Sequence, residues 1–386
     1  MTIPVKYNLR NLLVRKVTTT MTVLGISLVV ATFVALMAMA HGLNQTLVAT
    51  GVPENAILVR KGALADAASS LTIDQYRAVR DLPQLASDAR RNALASPELI
   101  FQIQRRKKGG GTAMVLVRGV RPVAFSVHSQ VKVSTGRMPS VRSGELLVGS
   151  GLRDRFEGFD PGSKVRLFSR DWTVVGVMEC DGCYYESELW CDLDDLASDS
   201  RRSYYSAIFV KLRDPASQAA LKRAAADDPR IDLEAKTELA YFEEQSEGAR
   251  RLRLLGLLVA GIMAIGAVFA AMNTMYAAIS ARTKEIATLR ALGFSRVAIT
   301  ASFVAESMLL ALAGGVVGCV LALPVHGTTT GTVNLMSFSD VSFSFAISPG
   351  IVGGALAFSL LIGFFGGLLP ARTGAAVPIV QALRQI

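Results

Sequence analysis

The sequence contains few charged residues, three histidines and four cysteines. Only 19% of its 386 residues are Asp, Glu, Lys or Arg, whereas a soluble globular domain has about 25%. This shortage excludes a soluble enzyme that fills the whole chain, and the hydrophobic content of 51% excludes a disordered protein. Four cysteines in a chain of this length exclude a small secreted domain held together by disulfides.

The sequence also lacks the motifs of nucleotide and metal chemistry. No Gly-x-x-x-x-Gly-Lys-Ser/Thr segment is present, because the glycine run at 109–111 follows two lysines instead of preceding one. His41, His128 and His326 are far apart, so no zinc-ligand spacing occurs. Ser150 lies between two glycines but outside the Gly-x-Ser-x-Gly pattern of a nucleophile. We therefore expect no catalytic residue, no metal site and no cofactor bound by this chain.

Long apolar runs dominate the rest of the sequence. Four of them reach the roughly 20 residues that a helix needs to cross a bilayer, and lipid offers no partner to a free backbone amide. We therefore predict transmembrane helices at 19–42, 254–281, 299–325 and 349–369. The first run is longer than the about 7–15 residues of a signal-peptide core, so we interpret it as a retained anchor.

Basic residues flank these spans unequally. They precede the first span, occupy the loop at 282–298 and follow the fourth span, whereas the loop at 326–348 has no Lys or Arg. Because Lys and Arg are retained on the cytoplasmic side, the distribution predicts cytoplasmic termini and an extracytoplasmic block at 43–253. Membrane orientation thus explains most of the net charge of +10, and we expect no nucleic-acid binding. The predicted cytoplasmic parts are an amphipathic segment at 1–18, the loop at 282–298 and a tail at 370–386.

The block at 43–253 has mixed helix and strand signals. Thr72 and Gln75 resemble a capping box that opens a helix, and a second helix is predicted at 215–226 with Pro215 in its first turn. Both follow predicted strands, which indicates two similar βαβ-type units. A polar helix from about Thr237 is predicted to continue into the second span. The predicted fold class is an α-helical membrane protein with four transmembrane helices and a large α+β domain between helices 1 and 2.

Three cysteines lie close together in the extracytoplasmic block. An oxidising exterior allows a disulfide, and both Cys180–Cys183 and Cys183–Cys191 satisfy the spacing. Zinc binding is disfavoured because no fourth ligand accompanies them.

The loop between the second and third spans has a helix-forming composition. Apolar residues recur at i, i+3 and i+6 beside a charged face, and a glycine ends the pattern. Such a helix suits docking into a groove of another protein; the alternative is a helix that lies on lipid headgroups. The residues concerned are Arg282, Lys284, Glu285, Ile286, Leu289, Arg290, Leu292 and Gly293.

Two features of the spans are unusual. Glu306 is the only acidic residue within an apolar span, and an unpaired carboxylate there costs about 2–3 kcal/mol. It either serves function or bonds Arg296, a neighbouring helix end or water.

Small residues in the spans also permit close helix packing, within one protomer or across a dimer. The glycines concerned are Gly314, Gly315, Gly318, Gly363 and Gly367.

The segment at 282–296 reads Arg-x-Lys-Glu-Ile-x-x-Leu-Arg-Ala-Leu-Gly-x-Ser-Arg. It resembles the FtsX-like permease domain of ABC transporters of the MacB type, as do the segments at 8–26 and 370–384. The glycine-rich motifs between 136 and 177 resemble the periplasmic core domain of the same family. The resemblance implies one helix before and three after a periplasmic domain of two lobes, and we place the inserted lobe at about 126–204.

The resemblance also implies a function and partners. The helix at 282–296 would couple to two copies of a separate cytosolic ATPase, which would hold ATP and Mg, because no ATPase domain is fused to this sequence. Two permease chains, most simply identical, would transmit ATP-driven motion to the periplasm and so export a substrate from the bacterial inner membrane. A periplasmic adaptor and an outer-membrane channel are further implied partners, besides membrane lipid. The alternatives are an FtsX-like transducer that controls a cell-wall hydrolase, and a permease that extracts lipoproteins.

Overall fold

The computed structural model describes residues 16–334 and 337–378. Most of the predicted segment at 1–18 and the end of the tail at 370–386 lie outside these ranges. The chain forms two compact units. One, here called the membrane unit, comprises the described residues up to 41 together with 251–328 and 345–378; the other, the sheet unit, comprises 42–250 and 329–344.

The elements alternate between long apolar helices and short helices and strands. The helices are α1 Lys16–Val48, α2 Ile73–Arg80, α3 Ala124–Val127, α4 Ser150–Arg155, α5 Leu193–Ser200, α6 Ser217–Asp227, α7 Glu238–Gln245, α8 Glu247–Ser280, α9 Thr283–Ala291, α10 Arg296–Ala322 and α11 Pro349–Ala376. The strands are β1 Asn55–Arg60, β2 Ala95–Arg106, β3 Thr112–Val120, β4 Lys132–Gly136, β5 Glu145–Gly149, β6 Lys164–Leu167, β7 Arg170–Glu179, β8 Glu188–Asp192, β9 Ala207–Lys211, β10 Leu233–Thr237, β11 Thr329–Val333 and β12 Asp340–Ser344.

Four helices of the described chain are long and apolar enough to cross a membrane: α1, α8, α10 and α11. They correspond to the four predicted spans, although α1 passes both predicted bounds, α8 and α10 begin earlier than predicted, and α11 ends later. The predicted helix from about Thr237 into the second span is present, because only Ser246 stands between α7 and α8. Ser246 has helical backbone angles, and its amide still donates to the Phe242 carbonyl at 3.0 Å. The Ser246 hydroxyl donates to the carbonyl of Glu243 at 2.7 Å. Such local bonding by serine competes with regular helix geometry.

The glycines of α10 and α11 allow the membrane helices to touch. A Cβ at Gly318 would lie 2.6 Å from the carbonyl oxygen of Ser27 in α1, and one at Gly363 would lie 2.6 Å from the Cβ of Ala311. Real side chains do not approach so closely, so only glycine fits at these crossings. The same holds against α1 or between α10 and α11 at Gly314, Gly315 and Gly367. Packing within one chain therefore accounts for all five predicted glycines.

One sheet of ten strands runs through the sheet unit, in the order β10-β1-β9-β2-β3-β8-β5-β7-β4 with β6 beside β7. The first four strands are two split βαβ units: β1-α2-β2 encloses β9, and β9-α6-β10 encloses β1. The predicted pair of βαβ-type units is confirmed, and the two interlock. The predicted capping box is also present, since Thr72 and Gln75 bond reciprocally. Helix α6, however, begins at Ser217, two residues after Pro215.

Strand β2 joins the two halves of this sheet. Its first residues, 95–98, pair with β9, and the remainder pairs with β3. Residues 126–204, the predicted inserted lobe, supply β4 to β8. Both halves therefore share one hydrogen-bonded strand and a continuous apolar core, which includes Leu99, Val117 and Leu189.

A buried ionic network lies at this junction. The Arg118 guanidinium on β3 contacts the carboxylates of Glu98 at 2.7 Å, Glu188 at 2.6 Å and Asp66 at 3.1 Å. All four side chains are at most 4% exposed. Burial disfavours the charge of His128, but Glu98 and Glu238 outweigh burial and raise the pKa of His128 to about 9.

Glu238 connects this network to chain segments near the beginning and near the end of residues 42–250. It is the first residue of α7 and is fully buried. Its carboxylate accepts hydrogen bonds from the Asn55 side chain at 2.9 Å, from the Val52 amide at 3.1 Å and from the Tyr185 hydroxyl at 2.9 Å. One carboxylate thus fixes the segment that follows α1 to the helix that precedes α8.

We expect Arg118→Met to destabilise the sheet unit by about 3–5 kcal/mol, because it leaves buried carboxylates without their cation. Both tryptophans of the chain, Trp172 and Trp190, are buried in this unit. Denaturant unfolding followed by tryptophan fluorescence therefore measures the change. Arg77→Met, at an arginine with 65% of its side chain exposed, is the control and should change the midpoint little. Equal midpoints for the two variants would contradict the expectation.

Candidate functional site

The short helix α9 lies between the second and third spans and contains most of the predicted coupling residues. It ends at Ala291, and Gly293, two residues later, adopts a φ of +96° that favours glycine. The amide of Gly293 donates to the Arg290 carbonyl, and the amide of Phe294 donates to the Leu289 carbonyl, each at 3.1 Å. These two bonds form a Schellman motif, which stops the helix and turns the chain toward α10.

One side of α9 is bound to the membrane unit. Ile286 is 4% exposed and belongs to an apolar cluster with residues of α8, α10 and α11. Arg290 donates to the carbonyl of Ala375 in α11 at 2.7 Å. Arg282, just before α9, forms an ion pair with Glu306 of α10 at 3.0 Å. The helix is therefore fixed to the spans by apolar, hydrogen-bonded and ionic contacts at once.

These contacts correct part of the sequence interpretation. The predicted docking stripe included Ile286, but this side chain packs inward, and Arg282 is only 6% exposed. Leu289 and Arg290 are half-buried. The apolar stripe is divided because Leu292 lies just beyond the last residue of α9, where the chain leaves the helix, and is 68% exposed.

The exposed face of α9 is consequently small and mixed in character. It consists of Lys284, Glu285, Thr288 and Ala291, followed by Leu292 and Gly293. An exposed leucine at the end of a helix can serve as an apolar anchor in a groove of another protein. We call these six residues the α9 face.

Glu306 has a partner in the structure. Its carboxylate and the Arg282 guanidinium are both nearly fully buried, at 4% and 7% side-chain exposure. Arg282 lies between the end of α8 and the start of α9. Of the predicted alternatives, Arg296, a neighbouring helix end or water, the structure therefore supports the neighbouring helix end. A buried ion pair resolves the cost of placing a carboxylate within an apolar helix.

The loop predicted at 326–348 contains a β-hairpin that belongs to the sheet unit. Its strands β11 and β12 pair antiparallel, and Asp340 at the start of β12 is 1% exposed. The Asp340 carboxylate pairs with Lys107 at 2.6 Å and with Arg155 at 2.5 Å. A Cβ at Gly331 would overlap the Arg155 guanidinium. The hairpin is thus fixed to the sheet unit by a buried carboxylate and two cations.

Sequence reasoning missed Asp340, although a signal was present. It is the only charged residue between 326 and 348, and an isolated acidic residue in an otherwise uncharged loop is a candidate for pairing. Arg118 was missed as well, although it is the only charged residue of the apolar run at 113–120.

The cysteines are placed by the structure as well. Cys180 and Cys183 form a disulfide in the turn that follows β7. Cys191, the third predicted candidate, is a free thiol buried on β8. Burial raises its pKa well above the usual range. Of the two predicted pairings the structure selects the shorter one.

Two families match the chain. Residues 19–227 match the family described as MacB-like periplasmic core domain. Residues 257–379 match the family described as FtsX-like permease C-terminal. The first match covers the first span and most of the sheet unit, and the second covers α9 and the remaining spans.

Known proteins are similar over part or nearly all of the chain. The macrolide export ATP-binding/permease protein MacB of Neisseria gonorrhoeae is 25% identical over 98% of this chain and 60% of its own length. The pyoverdine export ATP-binding/permease protein PvdT of Pseudomonas putida is 26% identical over 95% and 57%. An uncharacterized ABC transporter permease of Methanocaldococcus jannaschii is 36% identical over 34% of each chain. The chain thus spans 60% or less of the length of these curated relatives.

Among solved structures, the periplasmic region of MacB from Actinobacillus actinomycetemcomitans is similar to this chain. It is 14% identical, with a TM-score of 0.37, over 49% of this chain and 91% of that one.

We expect Glu306→Gln to destabilise the membrane unit by about 3–5 kcal/mol, because it leaves the buried Arg282 without an acidic partner. Thermal unfolding in nanodiscs, followed by the reaction of Cys319 with a thiol-reactive dye in a Cys191→Ala background, measures the loss. Arg296→Gln, at an exposed arginine of the same helix, is the control. If Arg296→Gln were as destabilising as Glu306→Gln, the importance of the buried pair would be refuted.

Proposed function

This chain belongs to the family with a MacB-like periplasmic core domain, an ABC transporter permease family of the inner membrane, and from that premise we propose that it is a mechanical transmission subunit. ATP hydrolysis by a separate cytosolic ATPase would move the spans, and the spans would move the sheet unit on the extracytoplasmic side. The termini and α9 would be cytoplasmic. The chain itself would hold neither ATP nor Mg, which would bind to the ATPase.

The observation that carries this proposal is the attachment of α9. Arg282, Ile286 and Arg290 bind the helix to α8, α10 and α11, while the α9 face remains exposed. A force applied to that face would therefore reach three spans directly. A helix lying on lipid headgroups would need its apolar residues toward the lipid, but Ile286 is turned toward the protein.

Transmission beyond the membrane is supported by the way the sheet unit holds its chain connections. The segment after α1 and the start of α7 are held by Glu238, and α8 follows α7 with one intervening residue. The hairpin joins the end of α10 to the start of α11 along the chain and is held by Asp340. Along the chain, each of the four spans is thus next to a segment that buried polar groups hold in the sheet unit.

Export is favoured over the alternatives by the names of the relatives. The MacB and PvdT relatives named above, which align over 98% and 95% of this chain, are described as export proteins, for macrolide and for pyoverdine. We propose two ATPase copies, a second permease chain, a periplasmic adaptor and an outer-membrane channel as partners. Co-purification distinguishes the proposals: an adaptor supports export, a cell-wall hydrolase supports a transducer, and a lipoprotein carrier supports lipoprotein extraction.

The α9 face should contact an ATPase chain in cells. A photo-crosslinking residue at Leu292 is expected to capture an ABC-type ATPase, identified by mass spectrometry, and Glu285→Lys in the same chain should lower capture at least tenfold by reversing a charge on the face. A crosslinker at Ile265, which is 60% exposed in the middle of α8, is the matched control. Equal capture from both positions, or capture of lipid alone, would exclude the coupling role.

We expect the hairpin of β11 and β12 to act after ATP hydrolysis and not to be required for hydrolysis itself. We expect Asp340→Asn to leave the ATPase activity of the assembled complex within twofold of the original, because α9 is unaltered. It should remove the ATP-dependent change in deuterium exchange of residues 329–344, because Lys107 and Arg155 lose their shared carboxylate. Asp154→Asn, at an exposed carboxylate on α4 with 59% side-chain exposure, is the control. An unchanged ATP response in Asp340→Asn would show that the hairpin transmits nothing.

A further inference from the structure

A cavity of about 700 Å³ opens on the sheet unit beside the end of α2. Its volume is that of a site for a small molecule, for which about 300–1,000 Å³ is usual. Residues between 80 and 95 supply most of its wall, and Tyr76, Val123 and Arg213 complete it. None of the residues used above for the proposed function lines this cavity.

The floor of the cavity is apolar and its rim is basic. Leu85 and Ala95 are 2% and 1% exposed, so the floor belongs to the core of the sheet unit. Leu82, Pro83 and Val123 extend this apolar surface. Three arginines stand around it: Arg80, Arg91 and Arg213.

The two carboxylates of the cavity already have partners. Asp81 forms an ion pair with Arg80 at 3.1 Å. Asp88 accepts hydrogen bonds from the amides of Arg90 and Asn92, each at 2.8 Å, and from the Asn92 side chain at 3.1 Å. The hydrogen bonds from Asn92 hold the pKa of Asp88 below its usual value. Asp81 is therefore neutralised by Arg80, whereas Asp88 keeps its negative charge within its own turn. The lining thus carries three arginines against two carboxylates, a net charge of +1.

Arg91 and Arg213 supply cationic groups without an acidic partner in the described part of the chain. Arg91 adopts a φ of +63°, uncommon for a residue with a side chain. The turn that holds it is fixed by the Asp88 bonds, and the Arg91 amide itself donates to the Asp88 carbonyl at 3.0 Å. Arg213 donates from Nε to the Leu85 carbonyl at 3.1 Å, which fixes its stem beside the floor.

We propose that this cavity binds a small amphipathic carboxylic acid. The carboxylate would be held by Arg91 and Arg213, since a guanidinium offers paired donors that match a carboxylate. The apolar body of the ligand would lie on Leu82, Pro83 and Val123, which retain exposed surface, and displace water from them. The proposal is independent of the transport role, because it rests on the cavity and its charges alone.

The test is calorimetric titration of the full chain in phosphatidylcholine nanodiscs, with heats from empty nanodiscs subtracted. The probe is 1-naphthoate, and its neutral isostere 1-naphthamide has the same apolar body without the charge. We expect 1-naphthoate to bind with a Kd below 1 mM, which corresponds to about −4 kcal/mol, and the amide to bind at least tenfold more weakly. Equal affinities would refute the role of the arginines, and no heat from either would refute the site.

Variants separate charge recognition from unfolding. Arg91→Ala with Arg213→Ala should weaken 1-naphthoate binding at least tenfold, whereas Arg91→Lys should lose less, because the charge remains. Arg77→Ala, at an exposed arginine of α2 that does not line the cavity, is the control and should bind normally. Unaltered emission from Trp172 and Trp190 checks the fold, and if the double variant unfolds, Arg91→Gln alone decides.

The same assay distinguishes a lipid headgroup from a soluble acid. Nanodiscs that contain phosphatidylglycerol supply an anionic lipid in excess. If 1-naphthoate binding persists in them, the site takes a soluble acid as proposed. If it is abolished, the cavity is a lipid site and the proposal is wrong.

Discussion

The free-energy cost of removing charge from water determines where this chain is rigid. A buried ion costs several kcal/mol unless an opposite charge lies against it. The structure meets this constraint in both compact units, with Arg118 among three carboxylates in one and Arg282 with Glu306 in the other. Each group of charges joins segments that are far apart in sequence. Separating them would expose a bare charge, so these segments move together or remain in place.

Close contact between the membrane helices depends on a second constraint, the absence of side chains at the positions where the helices cross. The glycines of α10 and α11 occupy positions where a Cβ would overlap a neighbouring helix. Helices α10 and α11 are thus in close contact with each other, and Ile286 and Arg290 of α9 are seated against the spans. A rigid attachment on one face and an exposed surface on the other are the properties that the proposed coupling requires.

Much of the fold could be predicted because it follows from local patterns. Apolar runs of sufficient length can only be helices in lipid, so all four spans were predictable. Turn and cap residues such as Thr72 and Gly293 act over a few positions, and their effects appear where expected. The alternation of strands and helices also predicted two βαβ-type units, but not that each strand pair encloses a strand of the other.

By itself the sequence determined the number of spans, the place of the large block between the first two spans and the presence of a short helix between the second and third spans, because each depends on neighbours along the chain. Only the tertiary structure decided which side of that helix is exposed, that Glu306 pairs with Arg282, and that Asp340 holds a hairpin against the sheet unit. Those outcomes depend on pairs separated by 24 to more than 200 residues. A charged residue in a sequence indicates that a partner is needed, but the partner is selected by which segments folding brings together.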